Sequence, residues 1–148
     1  MIRIVTNLKL VIEQYYPLLK EINKDDFLSK PNSEKWSKQE ELGHLIDSAQ
    51  NNIQRFIRVQ HEENVHIRYH ADNWVLMNDY QNREMKDLVE LWCLLNKQIV
   101  AILEKMPTNK QETLMSFDVN PAHKNTTLFI AEDYLQHLTH HLENLVSK

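Results

Sequence analysis

The chain has 148 residues, a length that suits one domain spanning residues 1–148 with room for its own hydrophobic core. It is 42% hydrophobic and 26% charged with a formal net charge of −4, so it lacks the basic surplus of a nucleic-acid-binding protein. One glycine and four prolines argue against a turn-rich β-fold, and the lone Cys93 excludes an internal disulfide. No apolar run approaches a membrane span, and Met1-Ile2-Arg3-Ile4-Val5-Thr6-Asn7 lacks a signal-peptide layout. A cytoplasmic protein with neither membrane nor nucleic acid as partner is the expectation.

The first helix is predicted over about residues 4–22, with Ile4, Leu8, Val11, Tyr15, Leu18 and Ile22 at helical spacing. Pro17 falls inside it, where a kink or break is expected. The second helix opens on Ser37-Lys38-Gln39-Glu40, a capping box in which Ser37 accepts a first-turn N–H and Glu40 reaches back to Ser37. Leu42, Leu45, Ile46, Ala49, Ile53 and Phe56 carry its apolar face to about Gln60. The third runs from about Tyr80 to Met106, with a seam of Met85, Leu88, Trp92, Leu95, Ile99, Ile102 and Met106 stopped by Pro107. Cys93 lies inside this apolar pattern and reads as a buried small residue rather than a reactive thiol. The fourth runs from about Thr127 to Val146 on Leu128, Ala131, Leu135, Leu138, Leu142 and Leu145.

Two long connections, 61–79 and 108–126, exceed ordinary bundle loops and are candidates for lids. Trp74 is expected to anchor the first of them. With no convincing strand, the pattern predicts an all-α four-helix bundle.

The chemistry concentrates in the last helix. His137 and His141 stand one turn apart, a spacing that lets two imidazoles share one metal ion. A helical wheel places both beside the leucine seam and turns His140 to solvent. A third ligand would come from His44, His61, His66, His70 or His123. On pattern alone His44 shares a polar stripe with Ser48, Asn51 and Arg55 and reads as a surface residue, although the sole glycine, Gly43, allows another element or a ligand to approach closely. The loop histidines read as solvated. Asp47 and Asp133, each one turn from a candidate ligand, could accept a ring N–H or simply face solvent. Arg55, Asn51, Tyr69 and Trp74 are candidates to face a bound molecule.

Trp36-Ser37 opening a helix, His44 eight residues after that tryptophan, Leu42-Gly43-His44-Leu45-Ile46-Asp47-Ser48-Ala49, and the stretch Asp133 to His141 together resemble the DinB-like superfamily. The resemblance covers nearly the whole chain. It implies a four-helix bundle holding one divalent ion, nickel or zinc, through His44, His137 and His141. It also implies a metal-dependent hydrolase or a low-molecular-weight-thiol S-transferase, and frequent homodimers. Three imidazoles would leave an open coordination position for a water or a thiol, and so for a small-molecule substrate. The competing expectation is a non-catalytic bundle braced by its metal and serving as an interaction module; that role calls for a fourth protein ligand, and none is evident in the motifs.

Overall fold

The computed structural model describes residues 1–147. Four long helices dominate it: α1 (Ile2–Glu21), α3 (Lys38–Arg58), α5 (Met85–Lys105) and α7 (Thr127–Val146). Between them lie the short helices α2 (Lys24–Leu28), α4 (Ala71–Asn78) and α6 (Thr108–Gln111), and a 3-10 turn at Tyr80–Asn82. Two two-residue strands, β1 (Leu114–Met115) and β2 (Asn125–Thr126), pair antiparallel with Leu114 opposite Thr126. A single bridge ties His66 to Ser116. The all-α expectation therefore gains a small ribbon. It closes the second connection on itself, and the bridge staples the first connection to the second.

α1 packs on α5 and α7, and so does α3. Helices α1 and α3 thus occupy opposite corners of the bundle. Leu8, Leu19, Leu42, Leu45, Ile46, Leu88, Trp92, Ile99, Leu138, Leu142 and Leu145 fill the centre. Each such side chain contributes about 1.5–3 kcal/mol by leaving water. One polar pair crosses this core: the Tyr134 hydroxyl donates to Asn96 Oδ1 at 2.6 Å, and Asn96 Nδ2 donates to the Trp92 carbonyl at 2.9 Å. Cys93 is buried, as its place in the pattern suggested.

The capping box forms. Ser37 Oγ accepts the Glu40 N–H at 3.1 Å and Glu40 Oε2 accepts the Ser37 N–H at 2.8 Å. Thr126 caps α7 by accepting the Phe129 N–H at 3.1 Å. Three expectations need correction. α1 runs through Pro17 unbroken, because the carbonyl that proline leaves free belongs to Glu13, and both residues face solvent. In the same helix Ile12 and Leu19 do the burying that Leu18 was expected to do; Leu18 is 43% exposed.

The third helix starts at Met85, not Tyr80: Asp79 is left-handed at φ 50° and Arg83 is extended, which separates the Tyr80 turn from α5. Its buried face also includes Val89, Cys93, Asn96, Val100 and Leu103, so Met85, Leu95 and Ile102 lie at the seam's edge. Among the described residues no helix is long and apolar enough to cross a membrane.

Candidate metal centre

α3 is buried on nearly all sides. Its leucine face meets α5, while its polar face is covered by α4, by the Tyr80 turn and by the strand-like stretch around Ile67. This covering explains His44. The residue read as a surface histidine is 6% exposed, packed against Trp36 with ring centroids 5.1 Å apart. A helical wheel records side-chain polarity and has no knowledge of a connection that later folds across it.

From α3, His44 meets His137 and His141 of α7. Ring centroids are 5.0 Å apart for each pair with His44 and 4.5 Å between His137 and His141. The three ligand nitrogens lie within 4.8 Å of one another. Nε2 of His44 and Nε2 of His137 face each other at 3.0 Å. Two nitrogens on one ion at about 2.0–2.1 Å each stand roughly 3 Å apart, so this separation suits a shared cation. Among the described residues no other group of His, Cys, Asp or Glu comes together in this way. His140 faces solvent, as the wheel indicated, and His61, His66, His70 and His123 are exposed.

The electrostatics keep two of these rings neutral. Burial, then repulsion from His137 and His141, lowers the His44 pKa to about 3. Burial, then His141 and His140, lowers the His137 pKa to about 4. A neutral imidazole is the form that ligates. His141 is oriented by a carboxylate: its Nδ1 lies 2.8 Å from Glu41 Oε1, which leaves Nε2 for the cluster.

Sequence reasoning missed Glu41. It sits one turn before His44, on the side of α3 that faces α7, and its i, i+3 spacing from His44 was the available signal. The two aspartates weighed for that role against a solvated position do not take it. Asp47 is fully buried and accepts instead from the Tyr80 hydroxyl at 2.6 Å and Asn78 Nδ2 at 3.1 Å. Burial pushes its pKa up to about 6, with the Tyr80 bond opposing. Asp133 is exposed and makes no hydrogen bond to His137. His44 Nδ1 is buried without a partner.

Beside the cluster lies a cavity of about 270 Å³ lined by Ser48, Asn52, Arg55, Arg68, Tyr69, Ala71, Phe117, Asp133, Tyr134 and His137. His137 is thus shared between cluster and cavity. Of the residues considered for ligand contact, Arg55 and Tyr69 line the cavity; Asn51 instead donates to the Asp47 carbonyl at 2.9 Å. Trp74 stacks edge-on against Tyr69 at 5.4 Å, a contact within the first connection itself rather than an anchor onto the bundle.

A four-helix bundle whose clustered histidines from two facing helices could hold one metal ion beside a small cavity defines a recognisable class. The chain belongs to the DinB superfamily, whose model matches residues 7–145. No curated protein sequence matches it. Among solved structures it is similar to YfiT from Bacillus subtilis, described as a probable metal-dependent hydrolase with an unusual four-helix bundle topology. That likeness has a TM-score of 0.85 at 18% identity and covers 97% of this chain and 82% of YfiT. It is also similar to the DinB-like protein YjoA from Bacillus subtilis, with a TM-score of 0.65 at 21% identity over 97% of this chain and 87% of that one. At these identities the likeness is one of fold.

Proposed function

We propose that the protein is a metal-dependent enzyme in which His44, His137 and His141 hold one divalent cation, nickel or zinc, and that it acts on a small molecule by hydrolysis. The observation that carries this reading is a three-histidine cluster that shares His137 with a cavity and has no fourth protein ligand among the described residues. A structural metal site is ordinarily closed by four protein ligands, whereas a catalytic site keeps a position open.

The donor set fits such an ion. Two of its rings are held neutral by burial, and the third is turned by Glu41. Bound there, the cation would supply Lewis acidity for activating a small nucleophile.

The protein's own contributions are separate from that. Trp36 walls off His44 from water. Glu41 fixes the tautomer of His141. Tyr69, Phe117 and Tyr134 give the neighbouring cavity apolar surface. YfiT's description as a probable metal-dependent hydrolase supports reading hydrolysis first; a low-molecular-weight thiol in place of water would make the same site an S-transferase.

The test begins with untagged protein and elemental analysis beside His44→Ala and His137→Ala. About one ion per chain in the wild type and much less in both variants is expected; equal metal in all three removes the proposal. Ester and amide panels, run with and without added thiol, then separate hydrolysis from thiol transfer. Stoichiometric metal with turnover of neither kind would favour the non-catalytic bundle.

A further inference from the structure

Arg55 is an unusual resident for the wall of a cavity. It is 7% exposed, yet no carboxylate lies within ion-pair distance of it among the described residues. Burying a guanidinium without a counter-charge is costly, and burial indeed pulls its pKa below the ordinary range, with Tyr69 and Asp133 opposing only in part.

Its hydrogen bonds do not use up its donors. A guanidinium has five N–H groups. Nε and Nη2 donate to the Ile67 carbonyl at 3.2 and 2.8 Å, and Nη1 donates to Asn52 Oδ1 at 3.3 Å. One N–H on each terminal nitrogen is left over, and charged N–H donors of a guanidinium suit the oxygens of an anion.

The surroundings point the same way. Arg68 lines the same cavity, with Nη1 3.2 Å from His70 Nε2. The single carboxylate there, Asp133, is outnumbered by two guanidiniums, and a divalent ion at the histidines would add more positive charge. Phe117 lies against the Arg55 guanidinium at 5.1 Å and keeps one of its faces dry. At about 270 Å³ the space suits a molecule smaller than a drug-sized ligand.

We infer that this cavity is an oxyanion-binding pocket, in which Arg55 and Arg68 anchor a carboxylate or phosphate group of a small anionic substrate beside His137. The inference deepens the proposed metal-dependent function and rests on it for the word substrate; the binding pocket itself does not.

The experiment measures binding by calorimetry to metal-loaded protein with two matched pairs of probes: glutarate against its neutral diamide, and glycerol 2-phosphate against glycerol. At least one anion is expected to bind about tenfold or more tightly than its neutral match, the scale of a charge-assisted hydrogen bond. The pair that shows the preference identifies which oxyanion the pocket takes. Arg68→Gln, an exposed position that leaves the core untouched, and Arg55→Gln should each cut that preference at least fivefold at unchanged metal content.

Equal binding of charged and neutral probes, or no anion binding at about 10 mM, overturns the inference. So does a preference that survives both arginine substitutions but disappears in metal-free His141→Ala, because the ion itself would then be the anion's partner. Should Arg55→Gln fail to fold, Arg68→Gln decides. A wild type that carries no metal yet keeps an arginine-dependent preference would sink the metal reading and leave the pocket standing.

Discussion

Replacing Gly43 by alanine tests how the helix bearing His44 is seated. A Cβ at this position would stand 2.1, 2.3 and 2.6 Å from Cδ2, Cγ and Cε2 of Tyr80, where ordinary contact begins at 3.4 Å. The obstacle is no flexible tip. Tyr80 is 1% exposed and its hydroxyl is tied to Asp47 at 2.6 Å. Either the ring or α3 must shift by about an ångström.

Overpacking of this kind costs about 1–3 kcal/mol. Breaking a hydrogen bond to a buried carboxylate costs about 1–3 kcal/mol more. Against these, Gly→Ala inside a helix returns about 1 kcal/mol. The net loss is about 1–5 kcal/mol, a fall in melting temperature of about 2–20 °C for a chain of this size. Thermal unfolding of metal-free protein, followed by circular dichroism, reads it.

The sign is the discriminating feature. In a Tyr80→Ala background the ring is gone, and Gly43→Ala should then stabilise by up to about 1 kcal/mol through helix propensity alone. A neutral or stabilising effect in the wild type would refute the reasoning. Destabilisation of equal size in both backgrounds would do the same, since it would place the strain somewhere other than Tyr80.

Three further outcomes are expected. Glu41→Gln should weaken metal affinity about 10–100-fold in a chelator competition, with little change in metal-free melting because a part-exposed pair is worth under about 1 kcal/mol; undiminished affinity would show that Glu41 does not orient His141. Metal-free protein should lose stability as pH falls from 6.5 toward 4. His44 at about 3 and His137 at about 4 lie below their unfolded value of 6.5, so the unfolded chain binds more protons across that window. Asp47 at about 6 acts oppositely, favouring the folded state on acidification, but two histidines oppose one carboxyl; a melting temperature that stays flat or rises as pH drops contradicts the assignment. Ser37→Ala should cost about 1–2 kcal/mol by removing the α3 cap, and melts that match the wild type would show the capping box to be decorative.

Some of this molecule was legible in its sequence because the physics was local. α7 spans Thr127–Val146 as its leucine spacing indicates, and the Ser37–Glu40 box forms because both partners lie within one turn. The i, i+4 histidines share a face for the same reason. What could not be read depends on distant segments. His44 looked exposed because Ser48, Asn51 and Arg55 make its stripe polar; all four are buried once the 61–79 connection and Trp36 cover that face.

Asp47 could have partnered His44 by spacing, but Tyr80 arrives from outside α3 and takes its carboxylate, and Glu41, which pairs with His141 of the cluster, serves a histidine 100 positions away. Gly43 was the informative exception. A lone glycine inside a helix pointed to a close approach, and Tyr80 makes it.

The facing nitrogens of His44 and His137 are 3.0 Å apart in space and 93 residues apart along the chain. An unfolded chain must close a loop of that length before it can present the pair, so a cation that requires both is in effect a ligand of the folded state alone. Each tenfold rise in free metal above the dissociation constant then adds about 1.4 kcal/mol to stability. If the proposed site binds its ion, the melting temperature would become a gauge of metal availability. Withdrawing the ion with a chelator would loosen the junction of α3 with α7 first, and with it the shared wall at His137 between the histidines and the neighbouring cavity.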